Sequence, residues 1–141
     1  MPNLCHVTKR TPFYLYQQTI NSRSRSNMQA FPIGSIVRRR LDGFIGFAGW
    51  HWGVYVGDNR VVHFNGLAKK ERSAFIQIDS VEGFGAGHDV LLHRRPNDLR
   101  HGIATAQKAR ELQSIAENGF NGTYHFLIRN CQDFCRHCVE T

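Results

Sequence analysis

The fold is decided by the stretch HWGVYVGDNRVVHF, residues 51–64, which has a histidine near each end. Two runs rich in β-branched and aromatic residues flank Gly57-Asp58-Asn59, a pattern that predicts an antiparallel hairpin. If the connection has three residues, or if the pair contains a bulge, His51 lies diagonal to His63 on one face of the sheet. A plain two-residue turn would point the two imidazoles to opposite faces. A site that uses both histidines therefore predicts the longer loop or the bulge.

The sequence on either side of the hairpin predicts more strands and then helices. Strand composition recurs in three segments, residues 33–38, 75–78 and 89–93. Helical periodicity runs from 103 to 118 and ends at Asn118-Gly119, a pair typical of a helix C-cap. After the apolar run 124–128, Asn130 can cap a last helix that opens at Cys131. Strands followed by helices predict an α+β fold, in which an antiparallel sheet packs against helices.

The length of the chain, 141 residues, suits one domain with a single modest core. Residues 1–30 are basic and rich in Ser, Asn and Gln, which predicts a loosely ordered arm ahead of a folded domain over 31–141. No apolar run approaches the roughly 20 residues of a membrane span, and the N-terminus lacks the apolar core of a signal peptide. We therefore expect a cytoplasmic protein with reduced cysteines, three of which lie in the last 11 residues.

Cys131 is the candidate nucleophile. A thiol reacts as its thiolate, which is favoured by a helix N-terminus and by a neighbouring imidazole. Cys131 lies at the predicted N-terminus of the last helix, and His51 or His63 would supply the neighbouring imidazole in the folded chain. One imidazole would take the thiol proton while the other orients it, and this chemistry needs no cofactor and no metal. The Cys131 N–H would hold the oxyanion with one more donor, for which Tyr55 is the candidate.

The segments HWGVYVGDNRVVHF and YHFLIRNCQDF together resemble the H-box and NC-box of the lecithin:retinol acyltransferase-like proteins. That family includes small phospholipase/acyltransferases, and it belongs to a circularly permuted branch of the NlpC-type, papain-like fold. The resemblance covers roughly residues 31–138. It implies His51 as base, His63 as third member of the triad and Cys131 as nucleophile. It also implies that an acyl group moves from a phospholipid to Cys131, then to water or an amine. The NC-box here reads NCQDF where the family usually has NCEHF.

Basic and aromatic residues next to the hairpin are candidates for contacts with substrate. Trp50 and Trp52 flank His51 and would wall an acyl pocket. The candidate membrane or polyanion contact consists of Arg38, Arg39, Arg40, Phe44 and Phe47. A net charge of +7 favours a polyanionic partner. Arginines beside exposed phenylalanines suit peripheral contact with an anionic membrane, which we favour over the phosphates of nucleic acid.

Three other interpretations of these residues stay open. The same Cys-His-His triad would serve a cysteine peptidase or isopeptidase that attacks amide bonds. A non-catalytic module would bind a partner through its basic surface and leave Cys131 unreactive. A zinc site would draw on the cluster between Cys131 and Cys138, but a second ligand pair at the usual spacing is missing. Cys135 and Cys138 otherwise suit the core face of the last helix.

Overall fold

The computed structural model describes residues 31–41, 49–65, 74–122 and 130–140. The predictions made for the arm over 1–30, for Phe44 and Phe47, and for the run 124–128 lie outside the described residues. Among the described helices, none combines the length and the apolar character needed to cross a membrane.

An antiparallel sheet with helices on its faces forms the domain. The strands are β1 (Ile36–Arg40), β2 (Trp50–Gly57), β3 (Arg60–Asn65), β4 (Phe75–Ser80) and β5 (Leu91–Arg94). The helices are α1 (Val81–Gly85), α2 (Leu99–Ser114) and α3 (Cys131–Val139). The strands lie in the order β4-β3-β2-β1-β5, and every neighbouring pair is antiparallel. The predicted α+β class is confirmed.

A two-residue turn connects β2 to β3. Asp58 and Asn59 both have left-handed backbone angles, with φ of 51° and 57°. Turns of this kind match the right-handed twist of the flanking strands, and Asn and Asp tolerate the left-handed region better than most residues. The turn pairs Gly57 with Arg60. The predicted three-residue loop is therefore wrong at the turn itself.

A bulge next to the turn restores the register that the histidines need. Farther from the turn, Val54 pairs with Val62, so β2 has one more residue than β3 between the turn and this pair. The bulge is the alternative that the sequence left open. Because side chains alternate along each strand, this shift places His51 and His63 on the same face of the sheet.

Each face of the sheet has its own core. Helices α2 and α3 cover one face, where the buried residues are Ile36, Val54, Val56, Val62, Phe64, Ile76, Ala106, Ala109, Phe134, Cys135 and Cys138. On the other face, Phe84 of α1 packs with Phe31, Val37, Tyr55 and Val61. The two histidines lie on this second face, beside Phe84.

Helix α2 begins and ends four residues earlier than predicted. Its N-cap is Asp98, whose Oδ1 accepts a hydrogen bond from the His101 N–H at 2.8 Å. The amide of Asn118 does not end the helix as a left-handed cap; it donates to the carbonyl of Leu112 at 2.7 Å. The Asp98 cap and the Asn118 side chain therefore mark the ends of α2, both of which lie four residues before the ends that the apolar periodicity predicted.

Strand β1 and helix α1 also differ from the prediction. Gly34 has a φ of 79° and its N–H donates to the Tyr55 carbonyl at 2.8 Å, so β1 starts only after this turn. A Cβ at Gly34 would overlap the main chain of Gly102, which explains how α2 approaches the sheet so closely. Helix α1 was not predicted; Ser80 caps it by accepting from the Gly83 N–H at 3.0 Å.

Candidate active site

Two buried imidazoles form the centre of the candidate site. His51 on β2 and His63 on β3 are only 4% and 3% exposed. His51 Nε2 lies 2.8 Å from His63 Nδ1, and the rings meet edge to face with their centroids 4.9 Å apart. Phe84 stacks on the His51 ring at 5.4 Å and helps to fix its plane. The hairpin thus brings the two predicted histidines into direct contact.

Gly53, between the histidines on the same face, leaves room for this pair. A Cβ at that position would lie 2.5 Å from Val61 Cγ1, 3.1 Å from the Phe84 ring and 3.2 Å from His63 Cβ. Each of these contacts is shorter than normal van der Waals packing allows, and none involves the flexible end of a long side chain. The glycine after Trp52 is therefore a steric requirement of the imidazole pair.

A carboxylate that the sequence analysis missed extends the chain of hydrogen bonds. Asp79 Oδ2 on β4 lies 2.8 Å from His63 Nε2. Gln77, which pairs with His63 in the β3–β4 register, donates from its amide to the same oxygen at 2.6 Å. Alternation along β4 puts Gln77 and Asp79 on one face, and that signal was available in the sequence. Which strand lies beside β3 is a long-range property that alternation does not give.

Burial keeps both imidazoles neutral near pH 7. It lowers the pKa of His51 to about 3, with smaller contributions from His63 and the Arg39 guanidinium. The pKa of His63 is also lowered, chiefly by burial, although the hydrogen bond and charge of Asp79 act in the opposite direction. A neutral imidazole can accept a proton from a thiol, whereas an imidazolium cannot. The resting pair is therefore in the protonation state that a base needs.

Helix α3 opens with a capping box that positions Cys131 as its first residue. Asn130 Oδ1 accepts from the N–H groups of Gln132 and Asp133 at 2.9 and 3.2 Å. In return, Asp133 Oδ2 accepts from the Asn130 N–H at 3.3 Å. The predicted helix start and its cap are confirmed. The Asn130 side chain thus caps the first turn of α3, and its supporting role in the site stays a prediction.

The Cys131 thiol lies at the end of the sheet where β2 begins. It is 4% exposed, and its Sγ is 4.0 Å from the carbonyl oxygen of Trp50, the residue before His51. Helix α3 packs against β2 and β3, so its first turn reaches the strand that carries His51. The structure therefore places the helix N-terminus, the thiol and the His51 main chain at one end of the sheet.

Cys135 and Cys138, by contrast, are core residues, as their spacing predicted. Burial raises the pKa of Cys138 to about 12 and that of Cys135 well above its ordinary value. His137 is exposed and lies beside Phe120, with ring centroids 5.6 Å apart. Within the four described ranges, no three His, Cys, Asp or Glu side chains are arranged to hold a metal ion.

The two tryptophans next to His51 lie on the opposite face of β2. Alternation along the strand separates them from His51, and Trp52 packs against the core under α2 and α3. The Arg38 guanidinium stands 4.2 Å from the centre of the Trp50 ring, and the Trp52 ring lies 4.1 Å from that of His93. The rings therefore belong to a basic, aromatic surface on the face opposite the imidazole pair, and their part in an acyl pocket stays a prediction.

Tyr55 is held away from the thiol. Its hydroxyl accepts a hydrogen bond from the Asn59 N–H at 3.3 Å, in the turn at the far end of β2. Its ring packs edge to face on Phe31 at 5.6 Å. Four residues of strand, about 13 Å at the usual rise, separate Tyr55 from His51. The structure does not bring Tyr55 to the site as an oxyanion donor.

Comparison with known proteins places the chain in a family. A family model described as Lecithin retinol acyltransferase matches residues 39–141. The lecithin retinol acyltransferase of Bos taurus is 28% identical over 115 residues, and that of Rattus norvegicus is 29% identical over 113 residues. Each match covers 62% of this chain and 47% of the relative. The chain thus spans about half the length of the curated relatives it matches.

Proposed function

This chain belongs to the lecithin retinol acyltransferase family, and from that premise we propose that it transfers or hydrolyses acyl groups of phospholipid or other lipid-like esters. In the first step Cys131 Sγ attacks the ester carbonyl carbon, and the ester C–O bond breaks. The thiol proton passes by way of His51 to the departing alcohol oxygen, which leaves a Cys131 thioester. In the second step water or an amine attacks the thioester, and the acyl product leaves as Sγ regains a proton.

Two observations carry this proposal: the hydrogen-bonded pair of buried imidazoles on β2 and β3, and a cysteine at a capped helix N-terminus whose Sγ lies 4.0 Å from the carbonyl oxygen of Trp50, the residue before His51. A buried 2.8 Å contact between two histidine rings costs desolvation and conformational freedom, which its hydrogen bonds must offset. Such pairs are typical of sites where one ring is the base and the other orients it. The family assignment supports the acyl chemistry, and the contacts of His51, His63 and Cys131 support their proposed part in it.

Each member of the triad has a role that its position supports. His51 Nε2 is engaged with His63, so Nδ1 is the ring nitrogen left to accept the thiol proton. Because the resting imidazole is neutral, the proton leaves the thiol as the S–C bond forms, in general-base fashion. The N–H of Cys131 lies in the first turn of α3, at the positive end of the helix dipole. It would donate to the oxyanion of the tetrahedral intermediate.

The basic, aromatic surface would bring the chain to its substrate. Arg38 and Arg40 lie over the Trp50 ring at 4.2 and 5.4 Å, and the exposed Arg94 belongs to the neighbouring strand β5. Guanidinium groups beside a half-buried indole suit an interface that combines phosphate headgroups with apolar carbon. We assign this surface to an anionic phospholipid bilayer. Trp50 connects it to the site, because the Trp50 carbonyl contacts the Cys131 thiol.

Trapping of the acyl-enzyme tests the proposed function. The protein is incubated with phosphatidylcholine vesicles that contain an isotope-labelled acyl chain, quenched in acid and mapped by peptide mass spectrometry. We expect a hydroxylamine-labile acyl group on Cys131 that is absent from Cys131→Ser and reduced in His51→Ala. Cys138→Ala is the matched control and should still be acylated. Acylation by activated peptide substrates alone would favour the peptidase alternative, and no acylation by either would favour the binding module.

A further inference from the structure

Asp79 ends a chain of hydrogen bonds that starts at His51. The chain runs from His51 Nε2 to His63 Nδ1 at 2.8 Å, and from His63 Nε2 to Asp79 Oδ2 at 2.8 Å. We infer that Asp79 is a positioning residue, which fixes the nitrogen that carries the proton in each imidazole and so leaves His51 Nδ1 as the base. This inference deepens the proposed function and rests on it for the role of the thiol.

The direction of the chain follows from the chemistry of its last member. An ionised carboxylate has only acceptor atoms, so His63 must donate to Asp79 from an Nε2–H group. A neutral imidazole has one N–H, and His63 Nδ1 is therefore an acceptor. His51 must then donate to it from Nε2–H, which leaves the lone pair of His51 on Nδ1. One carboxylate thus sets two tautomers in sequence.

Without the carboxylate, the opposite direction would be available, because the Gln77 amide nitrogen lies 3.2 Å from His63 Nε2 and could donate to it. His63 could then carry its proton on Nδ1 and donate to His51 Nε2, and His51 would carry its own proton on Nδ1. In that arrangement His51 Nε2 accepts the hydrogen bond from His63, and His51 Nδ1 is already protonated. Such a ring cannot take a proton from Cys131. The reversed chain is therefore an inactive tautomer of the same geometry.

The surroundings of Asp79 hold it in this role. Gln77 donates to the same carboxylate oxygen at 2.6 Å and restrains it. The Asp79 side chain is 35% exposed while that of His63 is 4% exposed, so the pair joins a solvated carboxylate to a buried ring. Besides burial, the Arg39 charge on β1 lowers the pKa of both imidazoles, whereas the Asp79 charge on β4 raises that of His63; α1 contributes the Phe84 ring. Asp79 is thus the negative charge that acts on His63.

The first test reads the tautomers directly by long-range ¹H–¹⁵N NMR on protein labelled at histidine. The wild-type chain should show both His51 and His63 as Nε2–H tautomers. In Asp79→Asn, the new amide can donate to His63 Nε2, so we expect one or both rings to move toward the Nδ1–H form. Asp79→Glu should restore the wild-type pattern in part. Asp89→Asn, which alters an exposed carboxylate, should leave it unchanged.

The second test measures acylation of Cys131 from labelled phosphatidylcholine vesicles. Asp79→Asn should lower the acylation rate constant by about 10²-fold or more with little change in KM, as expected when a base has the wrong tautomer. An Nδ1–H tautomer at either wild-type histidine would overturn the inference, even if every variant failed to fold. Unchanged tautomers and unchanged acylation in Asp79→Asn would overturn it as well. If the wild-type thiol is never acylated, the proposed function fails while the tautomers still report on Asp79.

Discussion

Cys131 and Cys138 lie about two turns apart on the same helix and both are buried, yet their surroundings differ. Cys131 occupies the first turn, at a capped N-terminus beside the strand that carries His51. Cys138 lies in the core between the sheet and α2, where burial raises its pKa to about 12. Under the proposed function, the position at the helix N-terminus distinguishes Cys131 from an equally buried core thiol.

Replacing each thiol in turn should have the largest effect and the clearest contrast. Cys131→Ser should reduce acyl transfer by on the order of 10³-fold or more, because the nucleophile is lost while the fold is kept. Cys138→Ser should retain the chemistry but lose about 1–3 kcal/mol of unfolding free energy, since it buries a hydroxyl in an apolar core. Turnover of a fluorescent phospholipid and urea denaturation check the two halves. If Cys138→Ser loses turnover while all of the protein is folded, Cys138 is more than a core residue and the contrast with Cys131 is wrong.

His51 should affect both the acylation of Cys131 and the pH dependence of the unfolding free energy. Its pKa is about 3 in the folded chain and near 6.5 when unfolded, so below pH 6.5 the unfolded state binds more protons. Unfolding free energy should therefore fall as the pH is lowered from 6.5 toward 3, by up to several kcal/mol. His51→Gln should remove part of this fall and should slow acylation of Cys131 by about 10²-fold or more.

Urea titrations of wild type and His51→Gln at neutral and mildly acidic pH measure this linkage. His137→Gln is the control, because His137 is exposed on the helix that carries both cysteines. Parallel loss of stability in wild type and His51→Gln would show that His51 is not a buried neutral base.

The hairpin shows how far the sequence alone could lead to this site. The β-rich runs predicted a hairpin. A shared face for the two histidines required either a three-residue loop or a bulge, and the bulge is present. The cap at Asn130 was likewise readable, because it depends on residues within one turn. Local patterns of this kind predicted that Cys131 opens a helix and that His51 and His63 share one face of the sheet.

The missed features depend on contacts distant in sequence. Asp79 contacts His63 only because β4 pairs with β3, and strand pairing across a connection is not encoded in alternation. Tyr55 lies on the same strand and face as His51, but its hydroxyl accepts a hydrogen bond from the Asn59 N–H in the turn. Trp50 and Trp52 neighbour His51 in sequence and therefore lie on the other side of the sheet. Side chains that are adjacent in a strand point to opposite faces of the sheet, so the sequence already predicts this separation.

The arginine surface offers a change that should leave the thiol comparison intact. The double variant Arg38→Gln and Arg40→Gln should bind phosphatidylserine-containing vesicles about tenfold or more weakly, since each basic residue near an anionic bilayer contributes on the order of 1 kcal/mol. Binding to pure phosphatidylcholine should change little. Arg60→Gln, an exposed arginine beside the turn, is the control. Loss of binding to an oligonucleotide instead of vesicles would assign the surface to nucleic acid.

Removing the cap of α3 should have the smallest effect, confined to one end of the helix. Asn130→Ala should lower the unfolding free energy by about 1 kcal/mol, because the N–H groups of Gln132 and Asp133 lose their acceptor. Alkylation of Cys131 should slow severalfold while that of Cys138 is unchanged under native conditions. Asn130→Asp, which keeps an acceptor, should restore both properties. Equal changes at the two cysteines would point to general loosening of the helix.

Competitive alkylation tests the central claim that His51 activates Cys131. Native protein is treated with limiting iodoacetamide near neutral pH, and labelling of each cysteine is followed by mass spectrometry in wild type and His51→Ala. We predict that Cys131 is labelled far faster than Cys135 and Cys138, and that His51→Ala removes this advantage. Slow labelling of Cys131 at a rate like that of the core thiols, and unaffected by His51→Ala, would contradict the account.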